Sequence, residues 1–147
     1  YHHPRNQLVA GFIGSPKMNF VEGKVLSADA RGVTVDYGEA KPATIPVSGA
    51  QAGDTVTLGI RPEHLTIDAN GALTANVDVV EVLGAETIVH AHLASGTPVT
   101  ISLRGISGVR QGAAIRLGFD PRFAHVFDEN GMALEPSRSW SEDYLIN

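Results

Sequence analysis

The segment from Gly53 to Gly71 (GDTVTLGIRPEHLTIDANG) recurs as Gly112 to Gly131 (GAAIRLGFDPRFAHVFDENG). Each copy opens on a glycine, alternates into a strand ending Leu-Gly, and turns at a proline (Pro62, Pro121). Each then resumes as a short apolar run and closes on Asp-x-Asn-Gly, at Asp68 to Gly71 and Asp128 to Gly131. A β unit this short cannot bury its own apolar face, because an isolated pair of strands is marginal in water. The two copies are therefore expected to pack together in one small barrel or sandwich.

At 147 residues the chain is long enough for one independent core. With 11 Lys+Arg against 16 Asp+Glu it lacks the clustered cations that displace counterions from a phosphate backbone, so nucleic acid is not an expected partner. No cysteine is present, which removes disulfides and thiolate metal sites and suits a reducing compartment. No apolar run approaches the ~20 residues needed to span a bilayer, and the first residues lack the order of a signal peptide.

The spacing changes twice. Near the start, Pro4 and Asn6 stand where a helix would begin, Leu8 and Phe12 pair at i,i+4 as do Val9 and Ile13, and Gly14 is placed to end it. Ser15 precedes Pro16 and is pushed out of the α region, so a short amphipathic helix over 1–15 hands over to extended chain there. From Met18 onward the period is two. Val33, Val35 and Tyr37 alternate with Thr34 and Asp36, Val77 and Val79 with Asn76 and Asp78, and Val99, Ile101 and Leu103 with Thr100 and Ser102. Further runs near 21–26, 43–47, 55–60, 65–68, 86–93, 114–119 and 124–127 bring the expected count to about ten short strands, five in each copy. That is an all-β chain, and it suits a duplicated OB-type, MOP-like barrel that closes a small sheet to remove exposed edges. The earlier halves of the repeat agree only loosely, with Lys24-Val25-Leu26-Ser27-Ala28-Asp29 set over Glu81-Val82-Leu83-Gly84-Ala85-Glu86.

Motifs for chemistry are sparse. There is no G-x-x-x-x-G-K-[ST] and no G-x-G-x-x-G, and glycines such as Gly38, Gly53, Gly96 and Gly112 fall between strands as turn residues. His90-x-His92 would place two imidazoles on one strand face, but zinc needs three or four donors; the rest would come from scattered carboxylates, His64 or His125. A polar strand face accounts for the pair, and no metal is expected. Glu22, Asp36, Glu39, Glu81 and Glu86 lie on separate strands, and neither Ser15 nor Ser107 sits in a G-x-S-x-G elbow, so no catalytic residue is assigned. One cluster stands out: Arg61, Glu63 and His64 crowd the turn at Pro62 after Leu58-Gly59-Ile60. Arg61 and Glu63 could form a surface pair worth ~0–1 kcal/mol. An exposed loop on a rigid barrel is also a place where small anions or partner chains dock. The second copy carries Asp120, Arg122 and Phe123 there, so the two turns are expected to serve separate contacts.

The run Asn6-Gln7-Leu8-Val9-Ala10-Gly11-Phe12-Ile13-Gly14-Ser15-Pro16-Lys17-Met18-Asn19-Phe20 resembles the interdomain junction of ATP-binding subunits of carbohydrate-type ABC importers, the maltose and glycerol-phosphate transporter family. Gly59-Ile60-Arg61-Pro62-Glu63-His64 is similar to that family's Gly-x-Arg-Pro-Glu motif. Gly118-Phe119-Asp120-Pro121 with His125-Val126-Phe127-Asp128 and Gly131 resembles its closing pattern, except that Asn130 stands where the family commonly has Thr.

The resemblance implies three parts. Residues 1–15 would be the end of a nucleotide-binding domain, 16–134 a TOBE (OB-type) regulatory domain, and 135–147 a tail that matches nothing in the family. The ATPase motifs would lie upstream of Tyr1, so this part would be no enzyme and hold no cofactor, while the parent protein would use ATP and Mg. It would pair with the second ATPase subunit, meet the membrane permease subunits through the upstream domain, and in some members receive an inhibitory regulator or small ligand. It would lie in the cytoplasm, on the inner face of the membrane. Gly14, Ser15, Pro16, Met18 and Asn19 would couple the two domains, and Arg61, Pro62, Glu63 and His64 would serve interface or regulatory contacts. The expected solute is a sugar or a related solute, with glycerol phosphate and polyamine as the alternatives. The alternative is a stand-alone module that binds an oxyanion such as molybdate through backbone amides. An OB-type oligonucleotide binder would need aromatic platforms on a basic groove, which an acidic chain with nine aromatics does not suit.

Overall fold

A computed structural model describes residues 17–39, 41–105 and 108–137. The helix expected over 1–15, the junction residues Gly14, Ser15 and Pro16, and the tail beyond 137 lie outside the described residues. Those described form β1 (Asn19–Asp29), β2 (Gly32–Asp36), β3 (Ala43–Ile45), β4 (Val47–Ser48), β5 (Thr55–Ile60) and β6 (Leu65–Ile67) in the first copy. The second copy supplies β7 (Leu73–Leu83), β8 (Glu86–Leu93), β9 (Pro98–Arg104), β10 (Ala114–Phe119), β11 (His125–Phe127) and β12 (Glu135–Pro136). The run expected near 43–47 is split at Pro46, and β12 lies beyond the last expected strand. The all-β, duplicated OB-type fold read from the sequence is the fold observed.

Two five-stranded sheets result, ordered β11-β5-β1-β2-β3 and β6-β10-β7-β8-β9, with β4 and β12 paired apart. The last strand of each copy crosses to the other. β11 pairs antiparallel with β5, placing Val126 opposite Leu58 and His125 opposite Gly59. β6 pairs with β10 in the same register, Ile67 opposite Leu117 and Thr66 opposite Gly118. Both crossings follow a proline. Pro62 and Pro121 open single 3-10 turns (Pro62–His64, Pro121–Phe123), and a residue without an N–H cannot continue the ladder it leaves. The Asp-x-Asn-Gly segments then close in one way, with Asp68 accepting from the Asn70 amide and Asp128 from the Asn130 amide, both at 2.9 Å.

The backbone also corrects the loose alignment of the earlier halves. Val25 exchanges bonds with Asp54 and Gly53, and Val77 exchanges the same pair with Ala113 and Gly112. Each is followed by a β-bulge, between Val25 and Ser27 and between Val77 and Val79. Val25 therefore corresponds to Val77, not Val82. The exposed outer end of β7 made the later segment look equivalent: Val82 and Leu83 are apolar yet 57% and 53% exposed. With the register corrected, Lys41-Pro42-Ala43-Thr44-Ile45 lies over Thr97-Pro98-Val99-Thr100-Ile101.

One core runs through both sheets and includes Val35, Ile45, Leu58, Ile101, Leu117 and Val126, all with no exposed surface. Tyr37 at the end of β2 packs edge-on against Phe119 of β10, ring centroids 6.3 Å apart, tying one copy to the other. Gly71 sits at a close approach between strands, since a Cβ there would lie 2.2 Å from the Leu117 carbonyl oxygen. At Gly118 the nearest atom is an Asp68 carboxylate oxygen at 3.3 Å, the end of a side chain that can move.

Gly71→Ala is therefore expected to destabilise by at least ~1–3 kcal/mol through overpacking against backbone, with Gly118→Ala much milder, as urea midpoints will measure. Burial, then the charge of Glu39, pushes the Tyr37 hydroxyl up to about 12. A raised folded-state value means stability present below the unfolded value of ~10 and lost as pH climbs towards about 12. Stability measured across that alkaline window should fall in the wild type and fall less in Tyr37→Phe.

Candidate functional site

The two proline turns converge. His64 stacks on Phe123, the residue at the corresponding place in the other copy, with ring centroids 4.9 Å apart and planes at 27°. The stack marks where an approximate two-fold relation between the copies emerges at the surface. The turns close alike, the His64 amide donating to the Arg61 carbonyl at 2.9 Å and the Phe123 amide to the Asp120 carbonyl at 3.0 Å. The two turns, expected to serve separate contacts, therefore adjoin at one composite surface.

Within it, the first turn differs from the exposed charged loop expected. Arg61 is 1% exposed, the largest of the fully buried side chains, and Pro62 is buried beside it. Glu63 remains exposed, so burial separates the two charges of this turn. The aliphatic stem of an arginine packs as a hydrophobe, so alternation in the sequence cannot reveal which end of it reaches water. The charged pair lies in the second turn. Arg122 grips the Asp120 carboxylate through Nε, 3.0 Å from each oxygen, and through Nη2 at 2.5 Å, while its guanidinium carbon lies 5.9 Å from the centre of the Phe123 ring. Hydrogen bonds from the Arg122 side chain are the main cause holding the Asp120 carboxyl below its ordinary range, against the opposing effect of burial. A solvent-facing patch results: Glu63, the Asp120–Arg122 pair, and Phe123, which is 44% exposed.

The junction residues within the described part are built into the barrel wall. Met18 is buried against Phe127, with Phe20 and Ala133 packed around them. Asn19 is 6% exposed and behaves as an extra peptide unit: its Nδ2 donates to the Thr100 carbonyl at 2.8 Å and its Oδ1 accepts from the Thr100 amide at 2.7 Å. The start of β1 in the first sheet is thereby fastened to β9 in the second. In the first copy Thr44 is the counterpart of Thr100, and Gly71 stands where Asn19 would be. The aligned Pro-x-Thr-Ile pair was the available signal for this link, and sequence reasoning missed it.

His90 and His92 go to separate carboxylates, Glu81 at 2.5 Å and Asp78 at 2.9 Å, on the exposed face of the β7–β8 hairpin. Among the described residues no group of three or more potential metal ligands gathers. Nor is any described helix long and apolar enough to cross a membrane.

The comparisons agree with this architecture. The MalK OB fold domain model matches residues 14–65, and the TOBE domain model matches 58–127. The chain is 39% identical over 138 residues to the maltose/maltodextrin import ATP-binding protein MalK of Yersinia pestis, covering 90% of this chain and 37% of that protein. The MalK of Salmonella typhimurium gives the same figures, and that of Mannheimia succiniciproducens is 38% identical over 143 residues, 92% of this chain and 38% of that protein. The chain thus spans little more than a third of the length of these curated relatives. Among solved structures, the cytoplasmic molybdate-binding protein ModG with molybdate bound superposes with a TM-score of 0.64 at 17% identity, over 74% of this chain and 94% of that one. Its likeness is one of fold. A duplicated OB-type barrel joined by two proline turns is the class that the structure defines. The chain belongs to the TOBE and MalK OB-fold family.

Asn19→Ala is expected to cost ~1–3 kcal/mol, because the half-buried peptide groups of Thr100 lose their partner. Arg61→Ala should cost ~2–4 kcal/mol through lost packing and hydrogen bonding, whereas Glu63→Lys should stay within about 0.5 kcal/mol. Denaturant unfolding of the three variants checks that order; a large loss from Glu63→Lys would overturn the division into buried and contact residues.

Proposed function

We propose that this chain is the C-terminal regulatory region of the ATP-binding subunit of an importer for maltose or a related sugar. There it pairs with its copy from the second subunit and steadies the two while the nucleotide sites open and close. What carries the reading is the match of both domain models in tandem across one continuous barrel, together with 39% identity to a MalK over 138 residues. On this reading ATP and Mg are bound, and hydrolysis carried out, by a preceding domain. The permease subunits are also met through that domain, and the protein works at the cytoplasmic face of the membrane.

The geometry of the turns suits a contact surface. Arg122 with Asp120 braces the second turn, and His64 on Phe123 holds the two turns to each other. Of the four turn residues assigned to contacts, Glu63 is the one whose side chain stands in water, with Phe123 and Arg122 beside it. Partner or regulator contacts fall on those three, and Arg61 acts by shaping the turn. Met18 and Asn19 give the preceding domain a fixed point of attachment, since a movement at the junction reaches the barrel wall directly through the Thr100 bonds.

A hybrid in which this chain replaces the matching C-terminal third of the Salmonella typhimurium relative tests the reading. We expect maltose uptake and maltose-stimulated ATP hydrolysis, with Glu63→Lys altering regulation at unchanged melting temperature. A hybrid that assembles with its permease and hydrolyses ATP, yet responds to no substrate, would sink the proposal. Stoichiometric molybdate binding to the isolated chain by calorimetry would put the oxyanion reading in its place.

A further inference from the structure

The approximate two-fold relation between the copies fails at one place, where one copy is closed and the other open. In the first sheet a seam separates β11 from β4, and the chain fills it with its own residues. The Leu134 amide donates to the Val126 carbonyl at 2.8 Å, Glu135 and Pro136 pair with Ser48 and Val47, and the Ser137 amide donates to the Pro46 carbonyl at 2.9 Å. Leu134 lies along Gly49 and packs against the core.

The corresponding seam of the second sheet lies between β6 and the end of β9. Here Ile67 corresponds to Val126, and Ser102, Leu103 and Arg104 correspond to Pro46, Val47 and Ser48. Because β6 leads directly into the Asp68 turn and on to β7, no described strand pairs with this end of β9 as β12 pairs with β4. The Pro62–His64 turn and β6 touch β9 along part of its length, and over the rest the seam opens as a groove lined by Leu65, Ile67, Leu103, Val109 and Ile115.

The free side of β9 is identified by the bonds it already makes. Thr100 spends its amide and carbonyl on Asn19, away from β8. Backbone groups alternate sides along a strand, so Ser102 and Arg104 present theirs to the same open side. These are the counterparts of Pro46 and Ser48, the residues that receive the filling strand in the first copy. Arg104 and Arg110 stand exposed along this rim, and neither forms an ion pair among the described residues. Transposed onto the second seam, Glu135 of the filling segment would stand opposite Arg104.

We propose that this seam takes up an extended segment of a partner protein, carrying an apolar residue followed by an acidic one, as a strand added to the free edge of β9. Main-chain bonds to Ser102 and Arg104 supply the pairing, the apolar groove takes the first side chain, and Arg104 with Arg110 selects the acid. The inference stands on the geometry of the two seams and does not depend on the transport reading.

The chain's own filling sequence, Met132-Ala133-Leu134-Glu135-Pro136-Ser137, made as a separate peptide, is the probe. Titrated into the 147-residue chain labelled for amide NMR, it is expected to give saturable shifts at Ile67 and Ser102 to Gly105 and none at Pro46 to Ser48. Arg104→Glu should weaken binding at least tenfold, and a peptide with Lys in place of its Glu should recover it. No saturable shift at millimolar peptide, or shifts confined to the first seam, would overturn the proposal. Binding seen only after removal of residues 138–147 would overturn it in favour of the chain's own tail. Self-association that the peptide abolishes would do so in favour of a second copy.

Discussion

Neither copy of the repeat completes its own sheet. β6 is encoded with the first copy and pairs in the second sheet, β11 is encoded with the second and pairs in the first, and both exchanges have the same register. Leu58 and Leu117, fully buried at the centres of β5 and β10, each face a residue delivered by the other copy. The two cores form only together, and Tyr37 on Phe119 and Asn19 on Thr100 add links across the same division. Many of these contacts join residues far apart in sequence, 81 positions in the case of Asn19 and Thr100. Loop closure then precedes most of the stabilisation, which makes such a chain cooperative and slow to fold.

The alternation of Val33, Val35 and Tyr37, the repeated proline turns and the Asp-x-Asn-Gly closures were enough to read an all-β duplicated barrel, because those patterns depend on local geometry alone. Strand exchange was not legible. A proline marks that a ladder ends, but says nothing about which sheet the next strand enters. The register error between Lys24 and Glu81 has a related cause: the projecting end of β7 carries Val79, Val82 and Leu83 in water, where a pattern of burial leads one to expect polar residues. At the turns, Arg61 and Glu63 were found as a cluster, but their fates divide by burial. A guanidinium taken inside and a carboxylate left outside look alike in a charge pattern.

Departures from two-fold symmetry locate what the repeat by itself does not require. A duplicated fold is satisfied by equivalent residues at equivalent places, as at Asp68 and Asp128 or Pro42 and Pro98. Asn19 over Gly71, Arg61 over Asp120 and His64 over Phe123 break that equivalence. Two of these pairs meet at the composite turn and the third lies where the chain enters the barrel. Such positions are constrained by what lies next to the domain as well as by its core. On the proposed reading they face the preceding domain and the neighbouring subunit.

The same reasoning separates the two seams. An exposed strand edge with an apolar groove beside it invites pairing with other chains, and natural sheets cover or charge such edges. The first seam is covered by residues 133–137; the second is guarded by two arginines with no ionic partner among the described residues. Positive charge protects an edge against neutral strands and against copies that are themselves basic, but it is a weak barrier to an acidic one. The fold thus carries, in its closed seam, a worked model of the strand its open seam would accept, and the charge along the rim limits which strands can use it.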